Sequence, residues 1–235
     1  MSDASNILIG DIEPFSIVDF PSHISAVVFM QGCPWRCPFC YNSSLQPLRA
    51  NNSDWTFDKF LKFAERRKGM LDAVVFSGGE PLVQNGLFDA IKAVKDLGYI
   101  TGLHTGGYRP DALAKVLPLL DWVGLDIKGP KAKYKDLTGG FDAFDDMKKS
   151  LEILIQSGVS FECRTTCDPR ELTVDDIFEL GQFLKTMGVK EYYLQKYRPI
   201  ETDKTTSDNA CESLISDSKL IFFLTQSFKK FDIRR

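Results

Sequence analysis

The chain has 235 residues, 43% of them hydrophobic, and a formal charge of −3. That suits one globular unit with a full core, and it argues against a nucleic-acid or anionic-membrane partner. No apolar run reaches the ~20 residues of a membrane span, and Met1–Gly10 lacks the basic and apolar regions of a secretory leader.

Ile7–Phe20 reads as a lead-in, with ILIGDIEPF able to form an edge strand before Pro21 turns the chain. From Ile24 onward one pattern repeats: apolar strand, polar loop, amphipathic helix. The strands are Ile24–Met30, Ala73–Phe76, Ile100–Leu103, Trp122–Leu125, Ser160–Arg164 and Tyr192–Leu194. The helices are Thr56–Arg67, Leu87–Leu97, Asp111–Leu117, Asp145–Ser157 and Val174–Met187. Phe57, Phe60, Leu61 and Ala64 give the first helix its apolar face, and Ile91 and Val94 serve the second. Gly69, Gly98, Gly158 and Gly188 each follow a helix, where a left-handed cap is expected. Thr173 and Asp176 have capping-box spacing.

Strands alternating with helices predict an α/β protein with a parallel sheet. A closed eight-unit barrel takes ~250 residues, so the stretch from Ile24 to Tyr197 allows about six units. The expected fold is a partial (β/α)6 TIM-like barrel, its site at the C-terminal ends of the strands. We treat 1–235 as one unit with a core near 24–198. Glu201–Asn209 is expected to be a polar loop, Leu214–Phe228 a last helix packing on the barrel through Leu220, Phe223, Leu224 and Phe228, and Phe231–Ile233 a closing strand. Gly129–Phe144 reads as a long polar loop.

The first strand runs into Gln31–Asn42, which holds Cys33, Cys37 and Cys40 in C-x3-C-x2-C spacing. Thiols this close can reach one metal centre. Structural zinc wants four protein ligands, as does an ordinary cubane cluster. Three local ligands would leave a position open for chemistry. A zinc knuckle or a chance group of buried thiols is the alternative. The other cysteines, Cys163, Cys167 and Cys211, form no framework, and a reducing cytosolic compartment is expected.

Ser77-Gly78-Gly79-Glu80-Pro81 follows the second strand. Paired glycines there mean a turn, or a backbone that a ligand approaches closely. Asp126 and Lys128 alternate with Leu125 and Ile127, so both can face the barrel mouth and meet a zwitterionic ligand, or simply each other. His104 stands at a strand end, where a backbone carbonyl or a ligand could satisfy it.

C-x3-C-x2-C with Phe39 before the last cysteine, followed one strand later by GGEP, resembles the signature of the radical S-adenosylmethionine (radical SAM) family. The resemblance implies a 4Fe–4S cluster on Cys33, Cys37 and Cys40, with the methionine part of S-adenosylmethionine chelating the fourth iron. It implies cofactor contacts from Phe39, Tyr41, Gly78, Gly79, Glu80, Thr105, Asp126 and Lys128. Arg164, Thr165, Gln195 and Arg198 are further candidates by position, with His104 beside them. No protein nucleophile or general base is required.

The likeness runs from IEPFSIVDFP through VVFMQGC, CPFCYN, VVFSGGEPLVQ, LDIKGP and KYKDLTG to YRP. It is similar to the activating proteins of glycyl-radical enzymes, in the branch serving anaerobic ribonucleoside-triphosphate reductase. That implies a glycyl-radical enzyme as partner, and a flavodoxin or ferredoxin as electron donor. The chain departs from the pattern at Tyr41, at Ser22-His23 where Pro-Gly is expected, and at His104 and Gly106 in place of Asp and Asn. An aspartate at position 104 would help hold a monovalent cation, whereas an imidazole binds such a hard cation poorly. A radical enzyme acting on a nucleoside or pterin precursor, and a zinc-binding module without activity, are the other readings.

Overall fold

The computed structural model describes residues 6–49 and 53–235. In chain order its elements are β1 (Ile9–Ser16), β2 (Ser25–Met30), α1 (Phe57–Arg66), β3 (Ala73–Gly78), α2 (Leu87–Asp96), β4 (Ile100–Thr105), α3 (Pro110–Val116) and β5 (Trp122–Asp126). There follow α4 (Lys131–Leu137), α5 (Phe144–Ser157), β6 (Ser160–Cys167), α6 (Val174–Met187), β7 (Glu191–Lys196), α7 (Asp208–Ile215), α8 (Ser218–Ser227) and β8 (Lys230–Arg234).

The strands form one eight-stranded sheet in sequence order. β1 is antiparallel to β2, and every later pair is parallel. The barrel is open: β1 and β8 are its two edges. The six expected strands are β2 to β7. β8 is the strand expected at Phe231–Ile233, but it extends the sheet beyond β7 and does not close it.

The outer face of the sheet is apolar because helices cover it. Val28, Val74, Phe76, Leu103, Val123, Leu125 and Leu194 are fully buried there, against α-helical residues such as Phe60, Ile91 and Leu151. The inner face changes character along its length. At the strand starts Phe20, Val27, Ala73, Val75 and Trp122 form a separate apolar cluster. Higher up come His104, Glu162 and Arg164, all buried. Glycines make room for this filling: a Cβ on Gly102 would lie 2.9 Å from Phe20 Cδ2, and one on Gly124 would lie 2.9 Å from Arg164 Cζ. Phe20, carried in by the loop after β1, plugs the lumen beneath the site.

Helix ends follow local chemistry. α5 and α6 stop at Gly158 (φ 75°) and Gly188 (φ 86°). Thr173 and Asp176 make the full capping box on α6.

The expected C-terminal helix is broken. Ser216 ends α7, and Asp217 restarts the chain by accepting a hydrogen bond from Leu220 N at 2.8 Å. The expected polar loop ends at Ser207, whose side chain caps α7. The apolar stripe still packs inward: Leu220 and Leu224 are buried, and Phe223 stacks on Phe178 at 4.1 Å. The expected loop 129–144 contains α4, a helix of seven residues. Among the described residues no helix is long and apolar enough to cross a membrane.

Candidate active site

The cysteine loop leaves β2 at the C-terminal rim of the sheet. Backbone bonds pin it on both sides. Gly32 N donates to Leu45 O at 2.7 Å, Cys33 N to Gln46 O at 3.0 Å, and Arg36 N to Thr138 O at 3.0 Å. The Arg36 guanidinium folds back onto the Cys33 and Trp35 carbonyls at 2.9 and 2.7 Å. Cys33, Cys37 and Cys40 are all free and half-buried. Burial pushes the Cys33 thiol up to about 12 and raises Cys37 as well.

The glycines after β3 serve the fold before any ligand. A Cβ on Gly78 (φ 111°) would lie 2.3 Å from Met30 N, and one on Gly79 would meet Gly32 O at 2.2 Å. Only glycines let the exits of β2 and β3 run this close. Glu80 N donates to Gly32 O at 2.8 Å. The Glu80 carboxylate turns inward and is 1% exposed. It accepts from Thr105 Oγ1 at 2.6 Å, Leu82 N at 3.1 Å and Gly106 N at 2.8 Å. Burial raises its pKa, and those three donors oppose the rise. Glu80 thus ties the β3 exit to the β4 exit. Thr105 Oγ1 also accepts from Gly107 N at 2.9 Å. Gly106 is small for a reason: a Cβ there would sit 2.1 Å from Trp35 Cζ3.

Above the plug lies a line of charge. Asp126 and Arg164 are register neighbours on β5 and β6. Arg164 Nε donates to Asp126 Oδ1 at 2.8 Å, and Nη2 lies at the same distance from that oxygen as an ion pair. Lys128 Nζ lies 3.6 Å from Asp126 Oδ2. Burial would raise the Asp126 pKa, but Arg164 and Lys128 outweigh it and hold the carboxyl at about 2. Burial likewise works against the Lys128 ammonium, but Asp126 and the three cysteines favour it, with a net rise. His104 is buried; with its proton on Nε2 it donates to Asp19 O at 2.9 Å, and Arg164 Nη1 lies 3.2 Å from the same nitrogen. Burial, then Arg164, lowers its pKa to about 3, so it is neutral. The backbone carbonyl considered for His104 is therefore Asp19 O.

The other candidates scatter around this centre. The Phe39 ring is buried in the main core. Tyr41 is 52% exposed, stacks on Tyr197 at 6.2 Å and accepts from Arg198 N at 2.8 Å. The Arg198 side chain turns outward to Arg235 O. Thr165 Oγ1 donates to Ile127 O at 2.9 Å, so it braces β5 against β6. Gln195 lies on β7 opposite Thr166 and Arg234. Sequence reasoning gave no role to Trp35, Arg36 or Tyr134. The KYKDLTG segment was the available signal, and it folds as α4 against the cysteine loop.

Residues 27–184 match the radical SAM superfamily. The chain belongs to that superfamily. Among its relatives is a protein of Methanocaldococcus jannaschii named for glycyl-radical enzyme activation, 28% identical over 82% of this chain and 80% of its own length. A pyruvate formate-lyase-activating enzyme of Clostridium pasteurianum is 38% identical over 61% of this chain and 63% of its own. In fold the chain is similar to Streptococcus suis SuiB bound to S-adenosylmethionine (TM-score 0.65, 15% identity), covering 87% of this chain and 48% of that one. The chain therefore spans about half the length of SuiB.

Radical SAM proteins use a 4Fe–4S cluster and S-adenosylmethionine, and the residues here fit that pair. Among the described residues no three cysteine, histidine or acidic side chains gather as for one metal ion. The three thiols share one loop beside the Lys128 ammonium, which interacts with each of them. A fully buried hydroxyl, Tyr134 Oη, lies near by with no acceptor for its proton.

Proposed function

We propose that this chain is a glycyl-radical enzyme activase. What carries the reading is a three-cysteine loop at the rim of an open sheet, in a chain matched over 82% of its length by a relative named for that activity. When bound, the cluster and S-adenosylmethionine supply reductive carbon–sulfur cleavage to a 5′-deoxyadenosyl radical able to take hydrogen from a backbone glycine.

The chain's own residues bind and orient. Cys33, Cys37 and Cys40 would hold the cluster. Gly78 and Gly79 present backbone at the β3 exit to the methionine ammonium, and Lys128 presents its ammonium to a carboxylate. Asp126 reaches the cofactor only on the side that Arg164 leaves free. Phe20, Val75 and Trp122 exclude water from below. The sheet does not close between β1 and β8, and an open side favours a protein loop as substrate over a nucleoside or pterin precursor. No side chain here is needed as nucleophile or general base. We assign the partner to the anaerobic ribonucleoside-triphosphate reductase class, the electron donor to flavodoxin or ferredoxin, and the compartment to the cytosol.

The test is anaerobic incubation of reduced, cluster-loaded protein with S-adenosylmethionine and that reductase. A glycyl radical in the partner's electron paramagnetic resonance (EPR) spectrum supports the assignment. 5′-Deoxyadenosine formed with no partner radical, but with turnover of a small molecule, replaces it.

A further inference from the structure

Tyr134 lies in α4, and its carbonyl accepts from Thr138 Oγ1 at 2.8 Å. The Thr138 carbonyl in turn accepts from Arg36 N at 3.0 Å. Gly139 (φ 73°) lets the chain close on the loop, since a Cβ there would lie 2.6 Å from Arg36 Cβ and 2.7 Å from its carbonyl oxygen. The end of α4 is therefore fastened to the segment between Cys33 and Cys37.

The Tyr134 ring is wholly buried, edge-on to Phe144 at 5.4 Å. Its hydroxyl is closed off from solvent and finds no acceptor for its proton among the described residues. The Lys128 backbone N–H is placed to donate to its oxygen, which leaves the hydroxyl's own proton without an acceptor. Its helix is fastened to Arg36, next to Cys37, and Cys37, Asp126 and Glu80 are the other groups that act on the hydroxyl electrostatically. Desolvation by burial keeps the phenol protonated, and it is therefore a donor.

An orphaned buried hydroxyl costs about 1–3 kcal/mol, and such groups are rare enough to ask what completes them. Phenylalanine would fill the same space without that cost. The acceptors that a bound cluster brings to this corner are sulfurs.

We propose that the Tyr134 hydroxyl donates a hydrogen bond to a cluster sulfur at the Cys37 corner and so raises the cluster's reduction potential. Reduction adds negative charge to the cluster, so a donor favours the reduced form more than the oxidised one. Tyr134 is a positioning and tuning residue here. The proposal rests on the cluster reading, and it holds whichever substrate the radical attacks.

The test is Tyr134→Phe in the full chain, with two readouts besides activity. One is the cluster's midpoint potential by EPR-monitored titration without S-adenosylmethionine. The other is the denaturation midpoint of the chain before iron is added. The expected result is a more negative potential with unchanged or higher iron-free stability. An unchanged potential overturns the proposal, and if S-adenosylmethionine binding alone weakens, the donor serves the cosubstrate instead. Lower iron-free stability also overturns it, because the hydroxyl proton then has a protein acceptor. Should Tyr134→Phe fail to load iron, Phe144→Leu decides: normal loading there shows that the hydroxyl is needed, and equal failure shows that only packing matters. If the unaltered chain takes up no cluster, the cluster reading itself falls, before any variant is made.

Discussion

Arg164 forks onto a single oxygen of Asp126, with Nε and Nη2 both at 2.8 Å. The pair is set by register on adjacent parallel strands, and Gly124 beside it leaves the space for the guanidinium. Asp126 therefore reaches the site with its charge already offset. Breaking a fully buried pair costs ~3–5 kcal/mol. Asp126 is 32% exposed, so Arg164→Met is expected to destabilise by about 2 kcal/mol in urea denaturation. Arg164→Lys should restore only part, since a point charge cannot fork. A midpoint unmoved by either change contradicts this role.

His104 predicts an acid sensitivity. Its folded pKa is lowered from 6.5 to about 3. The unfolded chain therefore takes up a proton that the folded chain refuses, and stability falls as pH drops through 6.5 toward 3. Between pH 6.5 and pH 5 that amounts to about 2 kcal/mol. Asp126, held at about 2, adds its own loss only below the ordinary carboxylate range. His104→Gln keeps a donor for Asp19 O and cannot titrate. Its stability should be flatter than that of the unaltered chain between pH 7 and pH 5. Parallel pH curves would rule the imidazole out as the cause.

Gly106 and Trp35 are expected to behave as a unit. A Cβ at 106 would stand 2.1 Å from Trp35 Cζ3, and an indole ring cannot yield by a small rotation. Gly106→Ala should cost ~1–3 kcal/mol by overpacking and should reduce iron uptake by moving the cysteine loop. Trp35→Leu in the same chain should relieve part of that cost. Additive losses in the double-mutant cycle would show that the two do not press on each other.

Most of the barrel was legible because its strands are buried on both faces and read as plain apolar runs, AVVF and WVGL among them. The cysteine loop and GGEP were legible because their residues are adjacent in sequence. Contacts made only by folding were not. The Asp126–Arg164–His104 line joins three strands through register. α4 was hidden by the charges of KAKYKDL, which sit on a helix too short to show a period. The break at Ser216-Asp217 lies before the stripe Leu220–Phe228, and its only local sign is a Ser-Asp pair of the kind that caps helices. The sequence showed that Glu80 follows two glycines, but not that its carboxylate folds inward to Thr105 and Gly106.

Ser22 stands at φ 62°, the one described non-glycine residue with positive φ. It lies in the stretch where the family resemblance expects Pro-Gly. Left-handed backbone costs an L-residue about 1–2 kcal/mol, and glycine returns part of that as unfolded-state entropy. Ser22→Gly is expected to stabilise by about 0.5–1 kcal/mol, read as a higher denaturation midpoint. A lower midpoint would show that the serine side chain makes a contact worth more than the strain.

The central claim is that three thiols at the barrel rim hold a cluster that splits S-adenosylmethionine. The most direct measurement is 5′-deoxyadenosine release from anaerobically reconstituted, reduced protein given S-adenosylmethionine. The account expects release that disappears in Cys37→Ala. A sample carrying a full complement of iron and sulfide that yields no 5′-deoxyadenosine, with or without a glycyl-radical partner, would contradict it.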